Sequence, residues 1–510
     1  MIASDSSSAF AHLVERVYGG KISVALAKRV WDASSNGQTG ISLGSISDDE
    51  REQLTQCLKP GGLLVMEFGQ LYLPRFAAME ARIADSLLRR HRAVQIDQID
   101  YQSLIQSTAP TANAEQIRAI LAGLTQQLLL LTGGPGTGKS FTLRALCAVL
   151  KLQNLNCRIA AVAPTANAAQ RLADVGATHV GTIHKLLGLS PRGNHAVSST
   201  ALPLAFDAVI VDEASMLSTQ LADLLFARLG PDTRLILAGD RNQLASIDAG
   251  EVFSQACVLS SSVITLTQNR RFENLDALTQ LAQGILDPAT DADQIHQLAQ
   301  PFMRSEFQSF DALIHYAIEQ YRRCDFDVAQ LMGRFRLITA TNDGPFGVNP
   351  INAAIDRAMR LSANAMRDSV WYSGRLIVIL RNDPSTGLRN GQVGVCVRVD
   401  QQFMVRFDDD REFAVERIAL HSSAWAITVH KAQGAEYDDV LFVLPSATSV
   451  MTSPSLIYTA ITRAKANLGI VGDQSVWDQA IIRSLSKHVN GTNSNSSGLV
   501  ARLVAGSQWN

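Results

Sequence analysis

Short apolar blocks alternate with amphipathic stretches through most of the chain after about residue 112. Each block groups Val, Ile, Leu and Ala together, which is typical of strands buried on both faces of a parallel sheet. The amphipathic stretches between the blocks have the spacing of helices that would cover those faces. The pattern predicts seven buried strands, more than one small domain holds, at residues 127–132, 158–163, 208–212, 234–239, 335–340, 440–444 and 467–472.

Three other regions depart from this alternation. Residues 1–110 place apolar side chains at helical spacing, most clearly through 11–30 and 76–88, and predict a helical N-terminal domain. Residues 373–420 contain the strand-like pieces RLIVIL, VGVCVRV and FMVRF between turn residues such as Asn390-Gly391. These pieces predict a small antiparallel β-insert. Residues 487–497, rich in Asn, Ser and Gly, predict a connector before a short last segment.

Composition narrows the classes of function. The 510 residues are 46% hydrophobic and 18% charged with a net charge of −2, so the chain is globular and any contact with nucleic acid has to be local. The six cysteines form no C-x-x-C pair, which argues against a zinc knuckle or a disulfide framework. The sequence starts without a basic and apolar leader, and no run approaches the ~18 apolar residues that span a bilayer. We therefore expect a cytoplasmic protein.

A phosphate-binding loop follows the first predicted strand. Residues 133–140 read GGPGTGKS, which fits G-x-x-x-x-G-K-[ST], and a helical run begins directly after them. Glycines let successive backbone N–H groups curl around a phosphate, while Lys139 adds a positive charge and the Ser140 hydroxyl can ligate Mg²⁺. The candidate nucleotide-binding residues here are Gly133, Gly134, Pro135, Gly136, Thr137, Gly138, Lys139 and Ser140.

Acidic and amide side chains follow two later strands. Asp212 and Glu213 end the strand at 208–212, where a nucleotide hydrolase places a Mg²⁺ ligand and a group that activates water. Gln243 follows the strand at 234–239 and can reach a γ-phosphate, although a capped helix start would explain the same residues. We expect a nucleoside triphosphate with Mg²⁺ as the cofactor, with Ser140 and Asp212 as the metal ligands.

The order of sequence blocks resembles superfamily 1 helicases and, more closely, the RecD family of superfamily 1B, the alpha subunit of exodeoxyribonuclease V. The similarity covers about residues 112–472. The blocks are GGPGTGKS at 133, APTANAAQRL at 163, GTIHKLLG at 181, VIVDEASM at 209, LAGDRNQLASIDAGEVF at 237, LTQNRRF at 266, GPFGVN at 344, RNDPSTGLRNGQVG at 381, WAITVHKAQGAEYDDV at 425 and LIYTAITRAK at 456.

This resemblance implies an α/β fold with two RecA-like P-loop motor domains, a small SH3-like β-barrel insertion and a helical N-terminal domain. The N-terminal domain would span residues 1–110 and dock partners. The first motor domain would span 111–265, with a short insertion at about 188–203. The second would comprise 266–372 and 421–510, interrupted by the SH3-like insertion at 373–420.

The resemblance also assigns residues to roles. Gln116 would recognise adenine, Lys139 would bind phosphate and Glu213 would activate water. Gln243 would sense the γ-phosphate, Glu436 would contact the ribose, and Gly434 would also belong to the nucleotide site. The arginine fingers would be Arg463 and Arg271, and the neighbouring Arg270 is an alternative to Arg271. Contacts to single-stranded DNA would come from Pro164, Thr165, Thr182, His184, Lys185, Thr428 and His430.

The activity implied is that of an ATP-dependent 5′-to-3′ DNA helicase and translocase. Its partners would be DNA together with RecB-like and RecC-like subunits, in double-strand-break repair and recombination. One alternative is a DNA-stimulated ATPase that regulates its partners without separating strands, which the short segment at residues 190–203 favours. A conjugative relaxase-helicase would need paired histidines, and the sequence has no H-x-H. A free-standing RecD-like helicase would need a longer N-terminal region.

Overall fold

The computed structural model divides into two compact units. The first comprises Met1–Arg241, Ala245–Asn269 and Thr492–Asn510, and the second comprises Asn242–Leu244 and Arg270–Gly491. The residues that the structure describes are 2–59, 61–94, 100–189, 202–245, 248–268, 276–287, 289–307, 309–324, 327–362, 370–400, 402–407, 409–418, 420–445, 453–489 and 497–507.

The N-terminal part of the first unit combines helices with a small sheet. The helices are α1 (Ile2–Val17), α2 (Val24–Ser35), α3 (Asp48–Cys57) and α4 (Pro74–Arg90). The strands β1 (Gly40–Ser42), β2 (Val65–Glu67) and β3 (Gln70–Tyr72) pair antiparallel in the order β1-β3-β2. The expectation of a helical domain missed this sheet, because three residues are too few to show an alternation of polar and apolar positions.

A six-stranded parallel sheet forms the centre of the first unit. Its strands are β4 (Leu128–Gly133), β5 (Ile159–Ala163), β6 (His179–Thr182), β7 (Ala208–Val211), β8 (Arg234–Gly239) and β9 (Val263–Leu266), in the order β6-β5-β7-β8-β4-β9. The helices of this region are α5 (Tyr101–Thr108), α6 (Ala114–Thr125), α7 (Lys139–Gln153), α8 (Ala166–Arg171), α9 (Ile183–Leu186), α10 (Thr219–Phe226) and α11 (Val252–Ala256).

Hydrophobic cores cover both faces of this sheet. Leu129 and Leu131 of β4 belong to the core that α6 and α7 complete. Leu128 and Leu130 belong to the opposite core, which includes Leu87 of α4. Because successive side chains of a strand point to opposite faces, a strand in this position is apolar throughout. Helix α4 therefore belongs to the packing of the sheet, although the sequence placed it in a separate N-terminal domain.

The second unit is built on a four-stranded parallel sheet. Its strands are β10 (Phe335–Thr339), β16 (Ala426–Thr428), β17 (Tyr437–Val443) and β18 (Ala464–Val471), in the order β16-β10-β17-β18. Its helices are α12 (Asp276–Leu286), α13 (Ala292–Ala299), α14 (Phe310–Arg322), α15 (Val328–Gly333), α16 (Val348–Ser362), α17 (Val429–Ala432), α18 (Pro454–Ile461) and α19 (Gln474–Val489).

A five-stranded antiparallel sheet lies between β10 and β16 in the chain. Its strands are β11 (Leu376–Ile379), β12 (Val393–Val399), β13 (Gln402–Phe407), β14 (Glu412–Ala414) and β15 (His421–Ser423), in the order β14-β13-β12-β11-β15. Antiparallel pairing in this region agrees with the predicted β-insert, and the sheet extends three residues beyond the expected end at 420.

The last helix, α20 (Gly498–Ser507), returns to the first unit. Its Leu499 and Leu503 are fully buried in the same core as Leu87 of α4. The sequence assigned residues 421–510 to the second motor domain, and for this helix that assignment is wrong. Leucines four residues apart lie on one face of a helix and require an apolar surface to cover, but their spacing does not say which surface.

Each of the seven predicted apolar runs overlaps a strand of one of the two parallel sheets. Strands β6, β9 and β16 were not predicted, since they have three or four residues and are only partly apolar. In the part of the chain that the structure describes, no helix is both long enough and apolar enough to cross a membrane.

Candidate active site

The phosphate-binding loop connects β4 to α7 as predicted. Gly136 and Gly138 take positive φ angles of 79° and 89°, a backbone conformation that favours glycine. The Lys139 ammonium donates hydrogen bonds to the Gly133 and Gly134 carbonyls at 2.7 and 3.0 Å. The chain therefore satisfies the lysine with the carbonyls of its own loop.

Gln116 lies against this loop from the first turn of α6. Its side-chain oxygen accepts from the Asn113 backbone N–H at 3.1 Å, closing a capping box, and its amide nitrogen donates to the Thr137 carbonyl at 3.2 Å. A Cβ on Gly138 would approach the same amide nitrogen to 2.3 Å. The sequence-predicted Gln116 and the phosphate loop are thus brought together.

Asp212 and Glu213 follow β7 at the carboxyl edge of the sheet. The Asp212 carboxylate is buried and accepts the Glu213 backbone N–H at 2.9 Å. Burial raises the pKa of Asp212 to about 6, and the Glu213 charge adds to the rise while Lys139 opposes it. Burial disfavours the charged form of this carboxylate, and a divalent cation beside it would stabilise that form. The Asp212 carboxylate and the Ser140 hydroxyl therefore fit Mg²⁺ as ligands.

Glu213 holds an unusual backbone conformation and has a charged partner. Its φ and ψ of 52° and 41° lie in the left-handed region, which non-glycine residues seldom adopt. Its side-chain Oε1 lies 3.3 Å from Nη2 of Arg171, the last residue of α8. Arg171 stands in the APTANAAQRL block, but its partner 42 residues later was not evident from the sequence.

Gln243 belongs to the second unit together with its neighbours Asn242 and Leu244. The Leu244 N–H donates to the Thr459 hydroxyl at 2.8 Å, and the Leu244 carbonyl accepts from the Gln433 amide at 2.5 Å. These contacts attach the short segment to α18 and the loop after α17. Gln243 and Lys139 therefore lie in different units.

Arg463, between α18 and β18, is almost fully buried. Its guanidinium donates to the Thr459 carbonyl at 2.9 Å, the Ala435 carbonyl at 3.1 Å and the Thr462 hydroxyl at 3.3 Å. The bond to Ala435 ties Arg463 to the loop that carries Gly434 and Glu436. Three of the sequence-predicted nucleotide residues are thereby gathered in the second unit. Arg270 and Arg271 lie outside the described residues.

Three of the residues assigned to DNA are threonines at the carboxyl ends of parallel strands. Thr165, Thr182 and Thr428 cap the short helices α8, α9 and α17, each accepting a backbone N–H at 3.2–3.3 Å. In the register of β5 and β6, Ala163 lies opposite Thr182, so two of these caps are neighbours in the first unit. A capping hydroxyl still has its hydrogen to donate to a phosphate.

The other residues assigned to DNA flank these caps. Pro164 is partly buried next to Thr165, and His184 and Lys185 are exposed on α9. His430 is partly buried on α17, and burial lowers its pKa, which favours the neutral imidazole. The structure thus forms two groups of such residues, one in each unit. Within the described ranges, no cluster of three or more His, Cys, Asp or Glu side chains is placed to hold a metal ion.

Comparisons with known proteins identify the families and relatives that the chain resembles. Residues 111–300 match the AAA domain family and residues 423–471 match the UvrD-like helicase C-terminal domain family. The RecBCD enzyme subunit RecD of Mycolicibacterium smegmatis is 32% identical over 408 residues, which cover 72% of each chain. The RecBCD enzyme subunit RecD of Haemophilus influenzae is 26% identical over 515 residues, 83% of this chain and 80% of that protein.

A third relative is the ATP-dependent RecD2 DNA helicase of Deinococcus radiodurans, which is 29% identical over 459 residues. The match covers 88% of this chain and 60% of that protein. Similarity at this level runs through both the phosphate-loop unit and the second parallel sheet. The chain belongs to the RecD family of helicases.

Proposed function

We propose that the chain is an ATP-dependent 5′-to-3′ DNA helicase and translocase, the RecD subunit of a RecBCD-type helicase-nuclease in double-strand-break repair and recombination. One observation carries this proposal. The chain has a complete phosphate loop, the acidic pair Asp212-Glu213 at the end of β7 and a second parallel sheet, and it is 32% identical to a named RecD subunit. The 5′-to-3′ polarity in this proposal is taken from the resemblance to the family. Because the three named relatives come from bacteria and the proposed track is DNA, we propose that the protein acts in the cytoplasm.

In the proposed reaction the first unit binds and hydrolyses ATP. Lys139 leaves the loop carbonyls to contact the β- and γ-phosphates, Gln116 contacts adenine, and the Glu213 carboxylate accepts a proton from the attacking water. Ser140 and Asp212 would hold Mg²⁺, which supplies positive charge beside the phosphates.

The second unit carries the other residues to which the proposal assigns roles in hydrolysis. Gln243 senses the γ-phosphate, Gly434 and Glu436 contact the nucleotide, and Arg463, together with Arg271 or its neighbour Arg270, supplies positive charge to the transferring phosphoryl group. Since Arg463 already donates to three oxygens of its own unit, it has to exchange those bonds for phosphate contacts. That exchange would link hydrolysis to a change in the second unit.

In each unit, the proposed contacts with DNA centre on the capping threonines. Short hydroxyl and basic groups suit contact with phosphates without recognition of bases. The antiparallel sheet of β11–β15 is proposed to be the SH3-like insertion, with both parallel sheets as RecA-like motor cores. RecB-like and RecC-like subunits are proposed to dock on residues 1–110. The short insertion expected at about 188–203 lies mostly outside the described residues, which leave out 190–201.

The test is strand displacement by the purified full chain on duplexes with a 5′ tail, a 3′ tail or blunt ends. Unwinding that needs ATP and starts from the 5′ tail is the expected result. Lys139→Gln removes one charge from a loop and should abolish both ATP turnover and displacement without unfolding the protein. Hydrolysis without displacement would favour a regulatory subunit, and displacement from the 3′ tail alone would contradict the proposed polarity.

A further inference from the structure

The ion pair between Arg171 and Glu213 joins two parts of the first unit that the proposed function keeps separate. Arg171 ends α8, a helix of six residues that begins directly after Thr165. Glu213 is the residue proposed to activate water. One short helix therefore has a DNA-contact threonine at its first end and a partner of the hydrolytic glutamate at its last.

Both charged side chains proposed to act in hydrolysis, Lys139 and Glu213, have partners within the first unit. Nη2 of Arg171 lies 3.3 Å from Oε1 of Glu213, and the Lys139 ammonium is bonded to the Gly133 and Gly134 carbonyls. The guanidinium N–H bound to Oε1 fixes the direction of the Glu213 carboxylate, which has to leave Arg171 before it can turn towards a water placed elsewhere. The contact thus opposes the role proposed for Glu213.

The solvent exposure of Arg171 and Glu213 indicates that their ion pair can break without destabilising the fold. The Arg171 side chain is 44% exposed and the Glu213 side chain 13%. An ion pair with an exposed arginine contributes little to stability, because water competes for the guanidinium. Its partner, by contrast, sits in a strained left-handed backbone conformation that the surrounding structure has to maintain.

We propose that Arg171 is a positioning residue that restrains Glu213 while no DNA is bound. A phosphate of single-stranded DNA at Thr165 shifts α8, withdraws Arg171 and releases the Glu213 carboxylate to the attacking water. Binding to the track at one end of α8 thereby raises the rate of hydrolysis at the other. This inference rests on the proposed function, because it takes Glu213 as the water-activating group and Thr165 as part of the track.

The experiment compares ATP hydrolysis by the full chain with and without saturating oligothymidylate. Arg171→Gln keeps the length of the side chain and removes its charge, so the DNA-free kcat should rise about two- to fivefold, equivalent to about 0.4–1 kcal/mol. The DNA-saturated kcat and the KM for ATP should stay near the wild-type values, so the stimulation by DNA falls. Arg171→Lys keeps the charge and should restore most of the stimulation.

Arg89→Gln is the matched control, because Arg89 also pairs with a carboxylate, Asp85, on an exposed helix surface. It should leave DNA-free and DNA-saturated rates unchanged. A DNA-free kcat of Arg171→Gln that stays the same or falls, in a protein with the wild-type melting temperature, would overturn the inference. Glu213→Gln separates this failure from that of the proposed function. If Glu213→Gln still hydrolyses ATP, the role proposed for Glu213 is wrong. If Glu213→Gln is inactive and Arg171→Gln has the wild-type DNA-free kcat, only the proposed restraint by Arg171 is rejected.

Discussion

Asp212 is the buried carboxyl group with the clearest consequence for pH dependence. Its pKa rises to about 6, mainly through burial and next through the neighbouring Glu213 charge, from about 3.9 in an unfolded chain. The folded protein therefore binds this proton more tightly than the unfolded chain does. The contribution of Asp212 to stability is greatest at low pH, falls as the pH rises from about 4 to about 6, and stays low above that.

Asp212→Asn should remove this dependence. In EDTA without nucleotide, we expect the variant to be more stable than wild type by about 2 kcal/mol at pH 8 and equal to it near pH 4. Thermal and urea unfolding at both pH values would measure the difference. Asp232→Asn is the control, since that side chain is 94% exposed and should change little at either pH. A gain of the same size at both pH values would contradict the assignment of the pKa.

At the same scale, the sequence was sufficient to place residues whose position depends on neighbours in the chain. The phosphate loop and Asp212-Glu213 occur where their motifs predicted, because a loop and the strand beside it are local. Arg171 was missed because its contact depends on how β5 and β7 are paired in the sheet. The motif likewise did not predict that Arg463 is buried and donates hydrogen bonds to three oxygens of its own unit.

Among the elements, α20 joins the core of the first unit through two leucines. Leu499 is fully buried there, whereas Val504 on the same helix is 38% exposed. Leu499→Ala should lower the free energy of unfolding of the first unit by about 2–5 kcal/mol, as large-to-small changes in a core do. Val504→Ala should cost under about 1 kcal/mol. Urea unfolding of both variants would measure this, and equal losses would show that α20 is not held by Leu499.

The sequence predicted elements well where they are long and uniformly apolar, and poorly where they are short. The buried strands β4, β5 and β8 show continuous runs of Leu, Ile, Val and Ala that leave little choice of structure. Strands β1 and β16 have three residues each and exist because a neighbouring strand pairs with them. Whether these short strands form depends on the partner strand, and the local sequence pattern does not include that partner.

For the whole molecule, net charge and DNA binding are separate matters. The chain has a formal charge of −2, yet the residues proposed to form the track include the exposed Lys185 and several hydroxyl groups. Binding to single-stranded DNA should therefore weaken as salt rises, with the logarithm of the affinity falling linearly against the logarithm of salt concentration. Fluorescence anisotropy with labelled oligothymidylate across a salt series would measure the slope.

Lys185→Gln should make that slope shallower by about 0.7, the value expected for one lost phosphate contact on a single strand. Lys28→Gln, at an exposed position on α2, serves as the control and should leave the slope unchanged. An affinity for DNA that does not vary with salt would rule out phosphate contacts as the basis of binding.

The return of α20 to the first unit bears on how the chain folds as it is made. Residues 498–507 leave the ribosome after the whole of 270–491, although they fill the core beside α4. At about 5–20 residues per second, that core waits roughly 10–45 s for its last helix. The usual order, in which the N-terminal domain is finished first, is thus reversed for part of the first unit. Nascent chains stalled in the second unit would present an uncovered apolar strip to chaperones and proteases.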